Sequence, residues 1–206
     1  VRFTDIVWDF DGTLFDSYEH IYASFRNALA ECGITDDEQT MRKHVVVSVR
    51  EAADHYRKEF GAPDNLVEIY QRWGSRIEFA HIRPYGGAEQ VLAKIVESGR
   101  RNHMYTHRGE STFAYLDHYG LRQYMTQIIT GLDPFPPKPD PGALLHLQAT
   151  QHIEASRMLM VGDREIDLLA SKRAGGAGCF FNTNNLPVPT CADFTIASLL
   201  ELTVHL

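Results

Sequence analysis

Short apolar runs that end in polar or glycine residues recur along the chain, at 6–8 (Ile-Val-Trp), 103–105, 127–129, 158–161 and 178–181. Their length and bias are those of strands buried on both faces. Longer stretches with helical spacing separate most of them, at 88–98, 111–119, 142–150 and 165–174. Strand and helix alternating in this way predict an α/β fold, a parallel sheet with right-handed crossovers.

The alternation is broken once. Between the first strand and the one at 103–105 lie almost a hundred residues that read as successive helices. Ser17 can cap a helix running to about Cys32, Gly33 can end it, and Asp36 or Asp37 can cap the next. Stretches 50–60 and 66–79 follow, divided by Gly61-Ala62-Pro63. The expected organisation is an α/β core of 1–15 and 84–206 with a helical insert of 16–83, which ends at the Pro84-Tyr85-Gly86-Gly87 turn. An insert placed after the first strand is expected over the carboxyl ends of the strands, where open α/β sheets bind ligands.

The 206 residues carry 20 Lys and Arg against 27 Asp and Glu, a formal charge of −7. An acidic balance argues against non-specific nucleic-acid binding and against attraction to anionic membranes, so an anionic ligand needs local features to hold it. Three widely separated cysteines, Cys32, Cys179 and Cys191, fit neither a disulfide framework nor a cysteine-rich metal site. No apolar run reaches the ~18 residues of a membrane span, and the first residues lack the pattern of a secretory signal. The expectation is a cytoplasmic protein with reduced thiols.

Four motifs carry chemistry. Asp9-Phe10-Asp11-Gly12-Thr13 leaves the first strand, and carboxylates at i and i+2 can face one small volume there. Like charges so close raise each other's pKa unless a cation intervenes, which suits a metal site or an acid/base pair. An EF-hand reading fails, because aligning Gly12 with that loop's glycine puts Val7 and Tyr18 at the first and last ligand positions. Thr106-His107-Arg108 ends the second core strand and offers a hydroxyl, with free N–H groups at the following helix start. Lys138 sits among Pro136, Pro137, Pro139 and Pro141, whose fixed φ angles leave it little backbone freedom. Gly162-Asp163-Arg164-Glu165-Ile166-Asp167 again leaves a strand and opens a helix, so Asp163 and Asp167 can share a face of its first turn.

In this order, on alternate core elements, the four motifs resemble the haloacid dehalogenase superfamily, and within it the phosphoglycolate phosphatase and β-phosphoglucomutase group with a helical cap. That resemblance implies a Rossmann-like core. It implies Asp9 as the nucleophile that forms an aspartyl-phosphate, and Asp11 as the acid that protonates the leaving group and then activates water. Thr106, His107 through its backbone N–H, and Lys138 would bind the phosphoryl group. Magnesium would be held by Asp9, Asp163 and the Asp11 backbone carbonyl, with Asp167 supporting. The family's dehalogenases lack the paired aspartates, so dehalogenation is not expected. The group commonly has Asn where this chain has His107, a change of size and charge near the leaving group.

His103 and His107 are about 13 Å apart if extended, too far for joint chelation, so no zinc site is expected there. Arg50 in the insert loosely resembles basic cap residues that hold a second anionic group of a substrate, and His20 can line the entrance. The implied activity is magnesium-dependent hydrolysis of a small phosphorylated metabolite. The alternatives are a phosphoglucomutase-like phosphotransferase and a non-catalytic binding protein of the same fold.

Overall fold

The computed structural model describes residues 3–76, 79–183 and 185–205. The chain divides into two compact units, one of Val1–Asp16 with Pro84–Leu206 and the other Ser17–Arg83. The short strands β2 (Phe15–Asp16) and β3 (Arg83–Pro84) form a two-stranded sheet.

The first unit is built on six parallel strands: β1 (Asp5–Trp8), β4 (Arg101–Tyr105), β5 (Met125–Ile129), β6 (Met158–Gly162), β7 (Ala177–Phe181) and β8 (Phe194–Ile196). Their order is β5-β4-β1-β6-β7-β8. The chain extends the sheet outward from β1 on one side through β4 and β5, then returns to build the other side. Strand order therefore reverses at β1, the position where open α/β sheets form a crevice at the carboxyl ends.

β1 and β6 are buried at every residue and β4 and β7 at all but the first, as parallel strands covered on both faces must be. Helices α5 (Ala88–Glu97), α6 (Ser111–His118), α7 (Gly142–Gln151) and α8 (Glu165–Arg173) match the predicted stretches to within one or two residues. Val7, Tyr105, Met158 and Met160 pack with Leu144 and Leu147 of α7 and Ala170 of α8. Trp8 Nε1 donates to the buried Asn102 Oδ1 at 3.0 Å, and the Asn102 amide donates to the carbonyls of Leu92 and Tyr124, so this polar side chain is satisfied inside the core.

The helical unit holds α1 (Tyr18–Glu31), α2 (Glu38–Val47), α3 (Val49–Phe60) and α4 (Leu66–Gly74) around a core that includes Phe25, Leu29, Met41, Val45, Tyr56 and Leu66. Ser17 stands at the N-cap of α1 but makes no side-chain cap hydrogen bond. Asp37 caps α2 by accepting from Thr40 N–H, and Ser48 caps α3 by accepting from Glu51 N–H. Gly61 ends α3 in the left-handed region, which glycine enters without a Cβ clash. The predicted 66–79 helix is cut short, because Gly74 and Ser75 end α4; Ile77 and Glu78 lie outside the described residues.

The three cysteines are free, and no helix among the described residues is long and apolar enough to cross a membrane.

Candidate active site

β1 delivers Asp9. Its last pairs are Trp8 with Met104 and Trp8 with Val161, and Asp9 N–H donates to Val161 O at 3.0 Å, so the next side chain emerges between the ends of β4 and β6. The chain then folds back on itself. Gly12, at φ 74°, donates to Phe15 O, and Phe15 N–H donates to Phe10 O. The positive φ is the reason glycine suits this turn.

Asp9 is 1 % exposed. Its Oδ1 accepts from Lys138 Nζ at 2.7 Å. Lys138 Nζ also donates to Asp167 Oδ1 at 2.7 Å and to Tyr105 O at 2.9 Å, which occupies all three ammonium protons. The lysine that the sequence suggests for phosphoryl binding is thus the counter-ion of two buried carboxylates. Burial alone would push its pKa down, but Asp167 and Asp9 outweigh burial and hold it above the usual lysine range. Asp9 is pushed up by burial and by neighbouring Asp167, against Lys138 and Arg164. Asp167 moves the other way: Lys138 and Arg164 overcome its burial and hold it low.

Asp9 Oδ2 is buried and has no hydrogen-bond partner among the described residues; Arg164 Nη2 lies 3.7 Å from it. Leaving a buried carboxylate oxygen unsatisfied is costly, so an atom in this condition marks a place for a ligand. Asp9, Asp163 and Asp167 each offer a carboxylate oxygen within 4.8 Å of the others. Asp163 Oδ1 accepts from Thr13 Oγ1 at 3.1 Å, and Asp167 Oδ2 accepts from Arg164 N–H at 3.2 Å. An all-oxygen donor set with an unsatisfied oxygen fits a hard divalent cation. With Asp167 engaged by Lys138 and Arg164, Asp9 and Asp163 are the side chains best suited to touch it.

Asp11 is held by Arg108. Arg108 Nη2 lies 2.6 Å from Asp11 Oδ1, and Arg108 Nε donates to both carboxylate oxygens at 3.2 and 3.3 Å. The guanidinium lies 4.9 Å above Phe10 and 5.6 Å from the Tyr115 ring centre. Thr106, 1 % exposed, accepts from Arg108 N–H through Oγ1 at 3.1 Å, which leaves its hydroxyl proton to donate. His107 Nε2 accepts from Lys138 N–H at 2.8 Å. Desolvation of the ring, then Lys138 and Arg164, push its pKa down to about 4. The imidazole therefore brings no charge at neutral pH, in contrast to the charge change expected from the sequence. A cavity of about 180 Å³ opens beside Thr106, His107, Thr130 and Pro136.

Asp9, Lys138, Asp163 and Asp167 are thus brought together, and Thr106 and His107 are tied to the same segments. Arg108, Arg164, Thr13 and the Tyr105 carbonyl are additional members. Arg108 and Arg164 stand directly beside motif residues, and that adjacency was the available signal. His103 Nε2 instead meets Asp5 Oδ1 at 3.0 Å at the start of β1, away from His107. In the helical unit, His20 is buried with Nε2 3.3 Å from Gly74 O, and Arg50 is exposed on α3.

The fold is that of a Rossmann-like α/β protein, with the carboxylate–lysine cluster at the carboxyl ends of the central strands. Residues 6–179 match the family model described as haloacid dehalogenase-like hydrolase. A phosphoglycolate phosphatase of Pseudomonas savastanoi pv. phaseolicola is 30% identical over 184 residues, covering 84% of this chain and 66% of that protein. This chain thus spans about two thirds of its length. A phosphoglycolate phosphatase of Vibrio parahaemolyticus is 28% identical over 218 residues, covering 96% of this chain and 93% of that one. The crystal structure of a haloacid dehalogenase-superfamily hydrolase, subfamily IA, from Geobacter sulfurreducens superposes with a TM-score of 0.77 at 20% identity, covering 99% of this chain and 100% of the other. The chain belongs to the haloacid dehalogenase-like hydrolase family.

Proposed function

We propose that the chain is a divalent-metal-dependent phosphatase that hydrolyses a small soluble phosphate monoester, phosphoglycolate being the first candidate. The observation that carries this reading is Asp9, a buried carboxylate at a strand end with one oxygen fixed by Lys138 and the other unsatisfied.

An Asp9 oxygen attacks phosphorus as the ester P–O bond breaks, and the leaving oxygen takes a proton from Asp11, which enters this step as the carboxylic acid. Asp11 then accepts a proton from water, whose oxygen attacks phosphorus, releasing phosphate and the free Asp9 carboxylate. Covalent capture divides one slow hydrolysis into two steps. One group serving as acid and then base is general acid–base catalysis. Arg108 holds the Asp11 side chain in place, and the Thr106 hydroxyl donates to a phosphoryl oxygen. Lys138 fixes Asp9 and supplies positive charge beside the transferring group.

Asp9, Asp163 and the Asp11 backbone carbonyl would hold the cation, magnesium in this reading, with Asp167 behind them. Bound there, it would offset the repulsion between the Asp9 carboxylate and an anionic ester. The helical unit 17–83 is proposed to select the substrate, with Arg50 as the residue for a second anionic group. His20, occupied by the Gly74 carbonyl, is assigned to holding that unit together. The proposed setting is the cytoplasm.

The test is phosphate release from a panel of phosphorylated metabolites with and without magnesium, for the wild type and Asp9→Asn. Magnesium-dependent release that disappears in the variant supports the reading. No turnover, or turnover unchanged in Asp9→Asn, overturns it. Phosphoryl return to a second sugar hydroxyl without net phosphate release replaces hydrolysis by transfer.

A further inference from the structure

The stretch Pro136-Pro137-Lys138-Pro139 contains a single backbone N–H, because proline has none. That one donor belongs to Lys138, and it goes to the His107 imidazole at 2.8 Å rather than to another backbone group. The other end of the same residue is held as firmly: Nζ contacts Asp9, Asp167 and the Tyr105 carbonyl. Tyr105 and His107 are two residues apart at the end of β4. One short segment therefore grips the lysine twice, by a carbonyl at the ammonium and by a ring nitrogen at the amide.

Further bonds hold the surrounding loop but none reaches the Lys138 amide. Tyr105 Oη donates to Pro136 O at 3.3 Å, Arg173 Nη1 donates to Pro139 O at 2.9 Å, and Asp140 N–H donates to Pro137 O at 3.0 Å. The Tyr105 and His107 rings meet nearly edge-on at 6.2 Å, which fixes the imidazole plane. Gly131 permits the same arrangement from the far side, since a Cβ there would stand 2.3 Å from His107 O.

We propose that His107 is a positioning residue for the reaction assigned above, setting the place of Lys138 against Asp9 through an Nε2 acceptor on the lysine amide. Acceptance by Nε2 requires the neutral ring with its proton on Nδ1. A side chain without an acceptor of that reach leaves the only N–H of the proline stretch unbonded and frees the lysine backbone to shift. Misplacement by a fraction of an ångström at such a group is enough to slow a reaction. This role rests on the proposed phosphatase activity, but the geometry behind it can be read without turnover.

Two measurements test it. In the wild-type protein, ¹⁵N imidazole spectra at neutral pH should show His107 with Nδ1 protonated and Nε2 bare; the opposite tautomer overturns the proposal whatever the activity. In kinetics, His107→Phe keeps an aromatic ring without an acceptor, and His107→Gln offers an acceptor at similar reach. We expect kcat to fall about tenfold in His107→Phe and to stay within about twofold of wild type in His107→Gln, with KM moved less than kcat. Equal kcat for His107→Phe and wild type, or equal losses in both variants, overturns it. Wild type without phosphate release defeats the proposed activity instead, and leaves the tautomer to decide the geometry.

Discussion

Arg108 Nη2 lies 2.6 Å from Asp11 Oδ1, with the guanidinium over the Phe10 ring and its side chain 9 % exposed. Two nitrogens engage one carboxylate, and the aromatic face supports the cation from below. Asp11 therefore does not rotate freely at the site. Arg108→Ala is expected to lower kcat by about tenfold to a hundredfold, the range of a charge-assisted hydrogen bond. Arg108→Lys should recover only part of it, because a lysine cannot engage both oxygens in a fork. Steady-state kinetics on the two variants checks this; full activity in Arg108→Ala would remove the arginine from the reaction.

Lys138 neutralises two buried carboxylates at once. Lys138→Ala should cost about 3–5 kcal/mol of stability, the usual cost of stranding a buried charge. Activity should fall at least about a hundredfold, as for loss of a preorganised electrostatic donor. Chemical denaturation measures the first and phosphate release the second. Adding Asp167→Asn to Lys138→Met should return part of the stability and none of the activity, which separates the two roles.

The central strands and α5 to α8 were legible because each is long enough for its apolar pattern to repeat, and β1, β4 and β6 lie where both faces need covering. β8 was not: Phe194–Ile196 is three residues at the sheet edge with Thr195 exposed, too short to carry a period. Three of the four motifs followed from strand ends and Lys138 from the prolines around it, but the partners did not. Lys138 as the counter-ion of Asp9, and Arg108 as that of Asp11, are contacts between segments 129 and 97 residues apart. No spacing rule along a chain encodes them. His107 shows the same limit on a smaller scale, since its identity suggested an altered charge while its surroundings make it a neutral acceptor.

The unsatisfied Asp9 Oδ2 beside Asp163 predicts a measurable cation effect without any substrate. Magnesium should raise the melting temperature of the wild type in proportion to site occupancy, and EDTA should abolish both that shift and activity. Asp163→Asn should need at least about tenfold more magnesium for the same shift. Activity retained in chelator would remove the metal from the mechanism.

Gly162 lies where a side chain cannot. A Cβ there would stand 2.3 Å from Asp167 Cβ and 2.5 Å from its carboxylate carbon, so Gly162→Ala must move the aspartate that holds Lys138. Overpacking of this kind costs about 1–3 kcal/mol. Activity should fall with stability, and the variant should resemble Asp167→Asn in kcat. A Gly162→Ala protein with wild-type melting temperature and kcat would mean that the Asp167 contact to Lys138 is dispensable.

His107 makes a prediction about acid. Its folded pKa is pushed down to about 4 by desolvation, Lys138 and Arg164, with Asp167 and Asp11 pulling the other way, against an ordinary value of 6.5. Between these values the unfolded chain binds a proton that the folded protein does not, so the folded state loses stability as pH falls from 6.5 to about 4. Above 6.5 the contribution is complete and flat. Other groups titrate in the same window, and comparison with His107→Gln cancels what the two proteins share. The wild-type melting temperature should therefore fall more steeply than that of His107→Gln from pH 6.5 to 4, and the two curves should run parallel from pH 7 to 8. Parallel curves throughout would mean that the ring is as easily protonated in the folded protein as in water, and that desolvation and the Lys138 and Arg164 charges do not act on it as the structure implies.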